Sequence, residues 1–136
     1  MNKYNGKVIL VVDDTAFLRN SLVNELEALG VSRGRILTAE NGKEGLDYLA
    51  SGAKDEDQVI DLVLCDWNMP IMTGIELLKK VRNSDKPYKN IPFALVTTVS
   101  EKDKIIEALS FNLSGYILKP IDVQKLKELL INIFGE

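Results

Sequence analysis

The sequence predicts an α/β domain: a doubly wound, five-stranded parallel sheet packed between five helices. Three observations predict it. Short, β-branched apolar runs alternate with segments in which leucine or isoleucine recurs at helical spacing, and the alternation is repeated five times. The runs are apolar at consecutive positions, as strands covered on both faces must be. Gly, Asn, Asp and Pro punctuate the boundaries. Strand and helix in strict alternation make the strands parallel, joined by right-handed crossovers.

Lys7 to Val12 (KVILVV) is the first strand, bounded by Gly6 and by Asp13-Asp14. Thr15 is placed to cap the next segment, where Leu18, Leu22, Leu26 and Leu29 recur before Gly30 stops the helix. Arg35 to Ala39 is a second, brief strand, and Asn41-Gly42 opens a helix carrying Leu46 and Leu49 that ends at Gly52. Ala53 to Gln58 (AKDEDQ) is polar and without pattern, the best candidate for a mobile surface loop. Asp61 to Cys65 is the third strand, Asp66 to Gly74 (DWNMPIMTG) a loop, and Ile75 to Arg82 a helix burying Leu77, Leu78 and Val81. Ser84 to Asn90, with Pro87, is loop; Pro92 to Val96 is the fourth strand; Ser100 to Leu113 is a helix with Ile105, Ile106 and Leu109 inward. Gly115 to Leu118 is the fifth strand. Pro120 and Asp122 start the last helix, whose stripe is Val123, Leu126, Leu129 or Leu130, and Ile133.

With 136 residues, 46% hydrophobic and 27% charged, the chain has the make-up of a single soluble domain spanning 1–136, with no length assigned to an output domain. A domain of this size buries roughly two-thirds of its unfolded surface and needs no disulfide or structural metal. The one cysteine, Cys65, excludes an intramolecular disulfide and a Cys-rich zinc site, and suits a reducing compartment. The absence of histidine removes Ser-His-Asp triads, Cys-His pairs and His-ligated metals. Seventeen basic against twenty acidic residues, with no basic block, argue against nucleic-acid binding. Val8 to Val12 is too short for a signal-peptide core or a membrane span, so a cytoplasmic protein without membrane attachment is expected. A monomer is expected too, because no long exposed apolar pattern stands out.

In such a fold, ligands bind beyond the carboxyl ends of the strands. There the sequence places Asp13 and Asp14, Asp66, Thr97 and Lys119. Each has an ordinary reading alone: a helix cap, a solvated loop acid, a strand-end hydroxyl, a solvated lysine. Three carboxylates, a hydroxyl and an ammonium converging on one crevice call for a joint explanation. Clustered carboxylates repel one another unless a cation sits among them, and an all-oxygen ligand set suits Mg²⁺, with Mn²⁺ a substitute. A carboxylate beside Mg²⁺ can attack a phosphoryl group while Lys119 neutralises charge on the transferring oxygens.

Asp13-Asp14, Asp66, Thr97 and Lys119-Pro120, in this order, resemble the receiver domain of two-component response regulators, over nearly the whole chain. VVDD (Val11 to Asp14), DWNMP (Asp66 to Pro70), GIELLKKVR (Gly74 to Arg82) and SGYILKP (Ser114 to Pro120) are most similar to the single-domain chemotaxis members of that family. The resemblance implies the flavodoxin-like strand order 2-1-3-4-5. It makes Asp66 the phosphoacceptor, with Mg²⁺ held directly by Asp14, Asp66 and the backbone carbonyl of Asn68, and by Asp13 through water. Thr97 and Lys119 then contact the phosphoryl group, Tyr116 is the switch aromatic, and the Lys119-Pro120 bond is cis. Lys102, Ile105 and Tyr116 are implied to meet a target. The implied partners are a histidine kinase, a downstream protein such as a flagellar motor switch protein, and a phosphatase; the chain is a signalling phosphoacceptor rather than an enzyme on other substrates.

Two positions depart from the family pattern. Thr73 stands where many receivers have aspartate, and Val99, two residues after Thr97, offers no polar side chain near the phosphoryl group. Asn68 and Val99 therefore leave the lifetime of the phosphorylated state open. A phosphorelay intermediate that passes the phosphoryl group on shares all these residues. A small Mg²⁺-dependent phosphohydrolase using Asp66 would need a general acid two residues later, where Asn68 sits. Nucleotide or flavin binding would need a glycine- or hydroxyl-rich loop in place of Asp13-Asp14.

Overall fold

Apolar runs covered on both sides form the sheet. In the computed structural model, which describes residues 4, 6–51, 59–98 and 102–135 (at Lys102 the backbone only), the strands are β1 (Ile9–Val12), β2 (Ile36–Ala39), β3 (Leu62–Asp66), β4 (Phe93–Thr97) and β5 (Gly115–Leu118). They are parallel, in the order β2-β1-β3-β4-β5. Every residue of β1, β3 and β4 is buried, while the edge strands β2 and β5 are only partly covered. The expected order and architecture are both observed. Observed β1 begins at Ile9 rather than Lys7.

The helices are α1 (Ala16–Ala28), α2 (Gly42–Ser51), α3 (Gly74–Arg82), α4 (Lys102–Leu109) and α5 (Val123–Phe134). Alternate strand residues feed two separate cores. Leu10, Val63, Cys65, Phe93 and Leu95 meet Leu49 of α2, Leu77 and Leu78 of α3, and Ile105 and Ala108 of α4. Ile9, Val11, Leu62, Leu64, Ala94 and Ile117 meet Leu22 and Leu26 of α1 and Leu126, Leu129 and Leu130 of α5. Thus α2, α3 and α4 cover one face, and α1 and α5 the other.

Helix ends follow local chemistry. Gly30, at φ 109°, closes α1: its N–H donates to the Glu27 carbonyl and that of Val31 to Leu26, each at 3.1 Å, a hydrogen-bond pair that needs a left-handed residue at this position. The Asn41 side chain accepts from the Glu44 N–H at the start of α2. Thr73 opens α3 with a reciprocal box: its hydroxyl accepts from the Glu76 N–H (3.3 Å) and its own N–H donates to the Glu76 carboxylate (3.1 Å). Thr73 therefore does the capping work that aspartate could do at the same place.

Three expectations need correction. Helix α4 ends at Leu109, not Leu113, and the chain turns through Asn112 at φ 59°; the expected start at Ser100 lies outside the described residues. Its inward face is Ile105 (6% exposed) with Ala108, whereas Ile106 (66%) and Leu109 (52%) face outward. The small Ala108, three residues on from Ile105, lets that side of the helix approach the sheet, which leaves Ile106, turned by ~100° about the helix axis, outside. In α5 both Leu129 and Leu130 are buried while Val123, at the first turn, is exposed. The loop Ala53 to Gln58, the helix end at Gly52 and Val99 all lie outside the described residues.

Candidate functional site

The β1–α1 turn is fixed from both sides. The Asp13 N–H continues the ladder to the Ala39 carbonyl at 3.0 Å. Its carboxylate Oδ1 accepts from the Thr15 N–H at 2.8 Å, closing a turn over two residues. Thr15 sits at the N-cap of α1, but its side chain makes no capping bond, so the expected Thr15 cap is not formed; what Asp13 takes is the N–H of Thr15 itself. Arg19 donates to the Asp13 carbonyl at 2.8 Å and lies 3.9 Å from the Glu40 carboxylate. Sequence reasoning missed Arg19, although a cation in the first turn of a helix opposes the helix dipole and so signals a dedicated acceptor.

Asp66 is the last residue of β3 and Thr97 the last of β4, both buried at the carboxyl edge. Beyond Asp66, the Trp67 N–H donates to the Val96 carbonyl and the Gly74 N–H to the Trp67 carbonyl, both at 2.9 Å. Between them, Ile71 at φ 71° is the centre of a γ-turn, with the Met72 N–H on the Pro70 carbonyl at 2.7 Å. Asn68 is exposed in the same loop. The Thr97 hydroxyl makes only a long bond, 3.4 Å, to the Thr98 carbonyl. After β5, the Lys119 N–H bonds the Thr97 carbonyl at 2.7 Å, the Lys119-Pro120 peptide is cis, and Lys119 Nζ reaches Asp66 Oδ1 at 2.9 Å.

Asp13, Asp14 and Asp66 come together as expected: a carboxylate oxygen from each lies within 4.8 Å of the others. Asp13 and Asp66 are each only 5% exposed, whereas Asp14 is exposed. Burial pushes the Asp66 carboxyl above its ordinary range; the bond and charge of Lys119 oppose this, and Asp14 adds to it. Asp13 is raised by burial as well, against the Thr15 N–H and with the charge of Asp66. Only oxygen ligands are offered, so the residues fit a hard divalent cation, which would relieve the repulsion that burial aggravates.

A folded state that binds a proton more tightly than the unfolded chain loses stability as pH rises from the ordinary value near 3.8 through the raised one, and remains lower above it. Asp13→Asn, which keeps the bond to the Thr15 N–H, is therefore expected to raise stability at pH 7 by about 1 kcal/mol, or ~3–5 °C in melting temperature. The gain should shrink as pH falls toward 4, and Mg²⁺ should raise the melting temperature of the native protein more than that of the variant. Thermal scans at several pH values, with and without Mg²⁺, measure both.

Of the expected partner surface, Tyr116 is exposed, in register with Leu95 and on the same sheet face as Thr97. Ile105 is not exposed: it is buried in the core, whereas Ile106, Leu109, Tyr116 and Leu118 are exposed apolar residues. The Lys102 side chain lies outside the described residues. A cavity of about 240 Å³ next to the acidic cluster is lined by Asp13, Phe17, Leu18, Glu25, Lys119 and Pro120, among others. A larger one, about 850 Å³, opens at the opposite edge of the sheet between Leu49, Ile60, Tyr88, Ile91 and Phe134; the clustered carboxylates are not there. Among the described residues no helix is long and apolar enough to cross a membrane.

Residues 9–131 match the response regulator receiver domain. A chemotaxis protein CheY homolog from Campylobacter jejuni is 42% identical over 127 residues, covering 93% of this chain and 92% of that protein. Chemotaxis protein CheY from Pseudomonas aeruginosa is 40% identical over 93% of this chain and 94% of its own length. The solved structure of chemotaxis protein CheY4 from Vibrio cholerae superposes with a TM-score of 0.77 at 30% identity, covering 94% and 98% of the two chains. With a family match across most of its length, and with the acidic cluster, the threonine and the lysine at the carboxyl edge of a β2-β1-β3-β4-β5 sheet, this chain belongs to the response regulator receiver domain family.

Proposed function

We propose that this receiver acts as a phosphorylation-controlled binding module of the cytoplasm, with Asp66 as its phosphoacceptor. The observation that carries the reading is the placement of Asp66: buried at a strand end, bonded to Lys119, and flanked by Asp13 and Asp14. Asp66 attacks phosphorus in a kinase phosphohistidine; the phosphorus–nitrogen bond breaks and the imidazole leaves as the acyl phosphate forms. Asp14, Asp66 and the Asn68 carbonyl, with Asp13 through water, would hold Mg²⁺ or Mn²⁺, which would neutralise charge on the phosphoryl oxygens. Lys119 moves from the Asp66 carboxylate to a phosphoryl oxygen.

The new group adds roughly two negative charges. It draws in the Thr97 hydroxyl, whose present bond is weak, and the vacated space admits Tyr116. The target then meets the face made by Ile106, Leu109, Tyr116, Leu118 and Val123. The names of the relatives favour chemotaxis; a flagellar motor switch protein is the proposed target, and a phosphatase the proposed means of ending the signal.

The test uses Trp67, the only tryptophan, next to Asp66 and buried. Its fluorescence should change saturably with Mg²⁺, and again with acetyl phosphate. The second change should vanish in Asp66→Asn. Persistence of the acetyl phosphate response in that variant would remove Asp66 from the role.

A further inference from the structure

Helix α4 carries Ile106 and Leu109 of the proposed response face, yet among its described side chains contributes only Ile105 and Ala108 to the buried core. Its ties to α3 gather at its last turn. Arg82, the final residue of α3 and 9% exposed, spends its guanidinium on three carbonyls: Nε on Phe111 (2.8 Å), one terminal nitrogen on Asn112 (3.0 Å) and the other on Lys89 (2.9 Å). One turn earlier in α3, Lys79 pairs with Glu107 and lies 5.5 Å over the Phe111 ring. These contacts hold the turn after α4, where Asn112 takes a left-handed conformation. The other end of α4 begins five residues after Thr97.

We propose that Arg82 is a positioning residue that anchors the C-terminal end of α4, so that α4 answers the phosphorylation site by pivoting about that end. The pivot rests on the reading of Asp66 as phosphoacceptor; the anchor itself does not. A fixed planar fork on three carbonyls restrains both position and direction, which a single surface ion pair cannot do. With eight residues, α4 is roughly 12 Å long, and a turn of ~10° about one end moves the other by ~2 Å. Such a motion displaces Ile106 more than Leu109. A sliding helix would displace both equally.

A helix normally frays in its last turn, so the anchor has a signature in amide hydrogen exchange measured by NMR on the full chain. The Phe111 and Asn112 N–H groups, bonded to the Ala108 and Leu109 carbonyls, should exchange at least tenfold more slowly than those of Ile106 and Glu107. In Arg82→Lys that order should reverse, while Leu64 in the central sheet keeps its protection. Phe111 and Asn112 exchanging as fast as Ile106 in the native protein would overturn the anchor, and this comparison needs no variant to fold. Beryllofluoride with Mg²⁺ should then shift amide resonances of Lys104 to Glu107 severalfold more than those of Phe111 to Ser114. Equal shifts alongside a Trp67 response would overturn the pivot. A silent Trp67 would count against the phosphoacceptor reading, with the exchange gradient still deciding the anchor.

Discussion

Alanine at position 74 is expected to lower the melting temperature by about 10 °C, corresponding to ~3 kcal/mol. A Cβ there would sit 2.5 Å from the Asp66 carbonyl oxygen, 2.8 Å from the Leu95 side chain and 3.2 Å from the Trp67 Cα. Two of the three neighbours are backbone and cannot rotate away. The strain falls on the strand end that carries Asp66, so the Trp67 response to Mg²⁺ should weaken in whatever fraction remains folded. Gly34→Ala, in the short 3-10 turn Arg33–Arg35, is the control: nothing lies within 4 Å of its Cβ. Thermal unfolding of the two variants side by side decides the matter, and equal melting temperatures would mean that α3 can move outward without loss.

Replacing Lys119 with methionine is expected to slow acetyl phosphate uptake about 100-fold, as measured by the Trp67 transient. The ammonium is the cation bonded to Asp66, at 2.9 Å, and its stem is largely covered. Methionine preserves much of that packing while removing the charge that would meet the transferring oxygens. Equilibrium Mg²⁺ binding should move the other way and tighten severalfold, because the cation competing for the Asp66 oxygen is gone. Opposite movement of the two readouts separates this from simple damage to the fold. An uptake rate within twofold of the native protein would remove Lys119 from the transfer step.

The sheet was legible because its three central strands are apolar at nearly every position, and only a strand buried on both faces tolerates that. The acidic crevice was legible for a topological reason: Asp13, Asp66, Thr97 and Lys119 each fall at or just after a strand end, and parallel strands bring those ends to one edge. What failed was phase. Ile105, Ile106 and Leu109 fit more than one helical face, and choosing among them depends on how closely Ala108 lets the helix approach. Thr15 is of a type that favours capping, yet its side chain makes no capping bond, and its own N–H is held by Asp13 two residues earlier. Arg82 carried no signal, since its partners are backbone carbonyls whose positions depend on two loops.

Among the described residues, the two cores on opposite faces of the sheet share no side chain. Leu64 and Cys65 are covalent neighbours, yet one belongs with Leu26 and Leu126 and the other with Leu77 and Ile105. Volume changes in one layer are therefore absorbed largely within it, and substitutions across the sheet should combine nearly additively while those within a layer couple. A lineage can thus repack one layer by paired substitutions without disturbing the other. The fold behaves as two half-independent packing problems, coupled chiefly through the strand backbones whose ends assemble the acidic crevice.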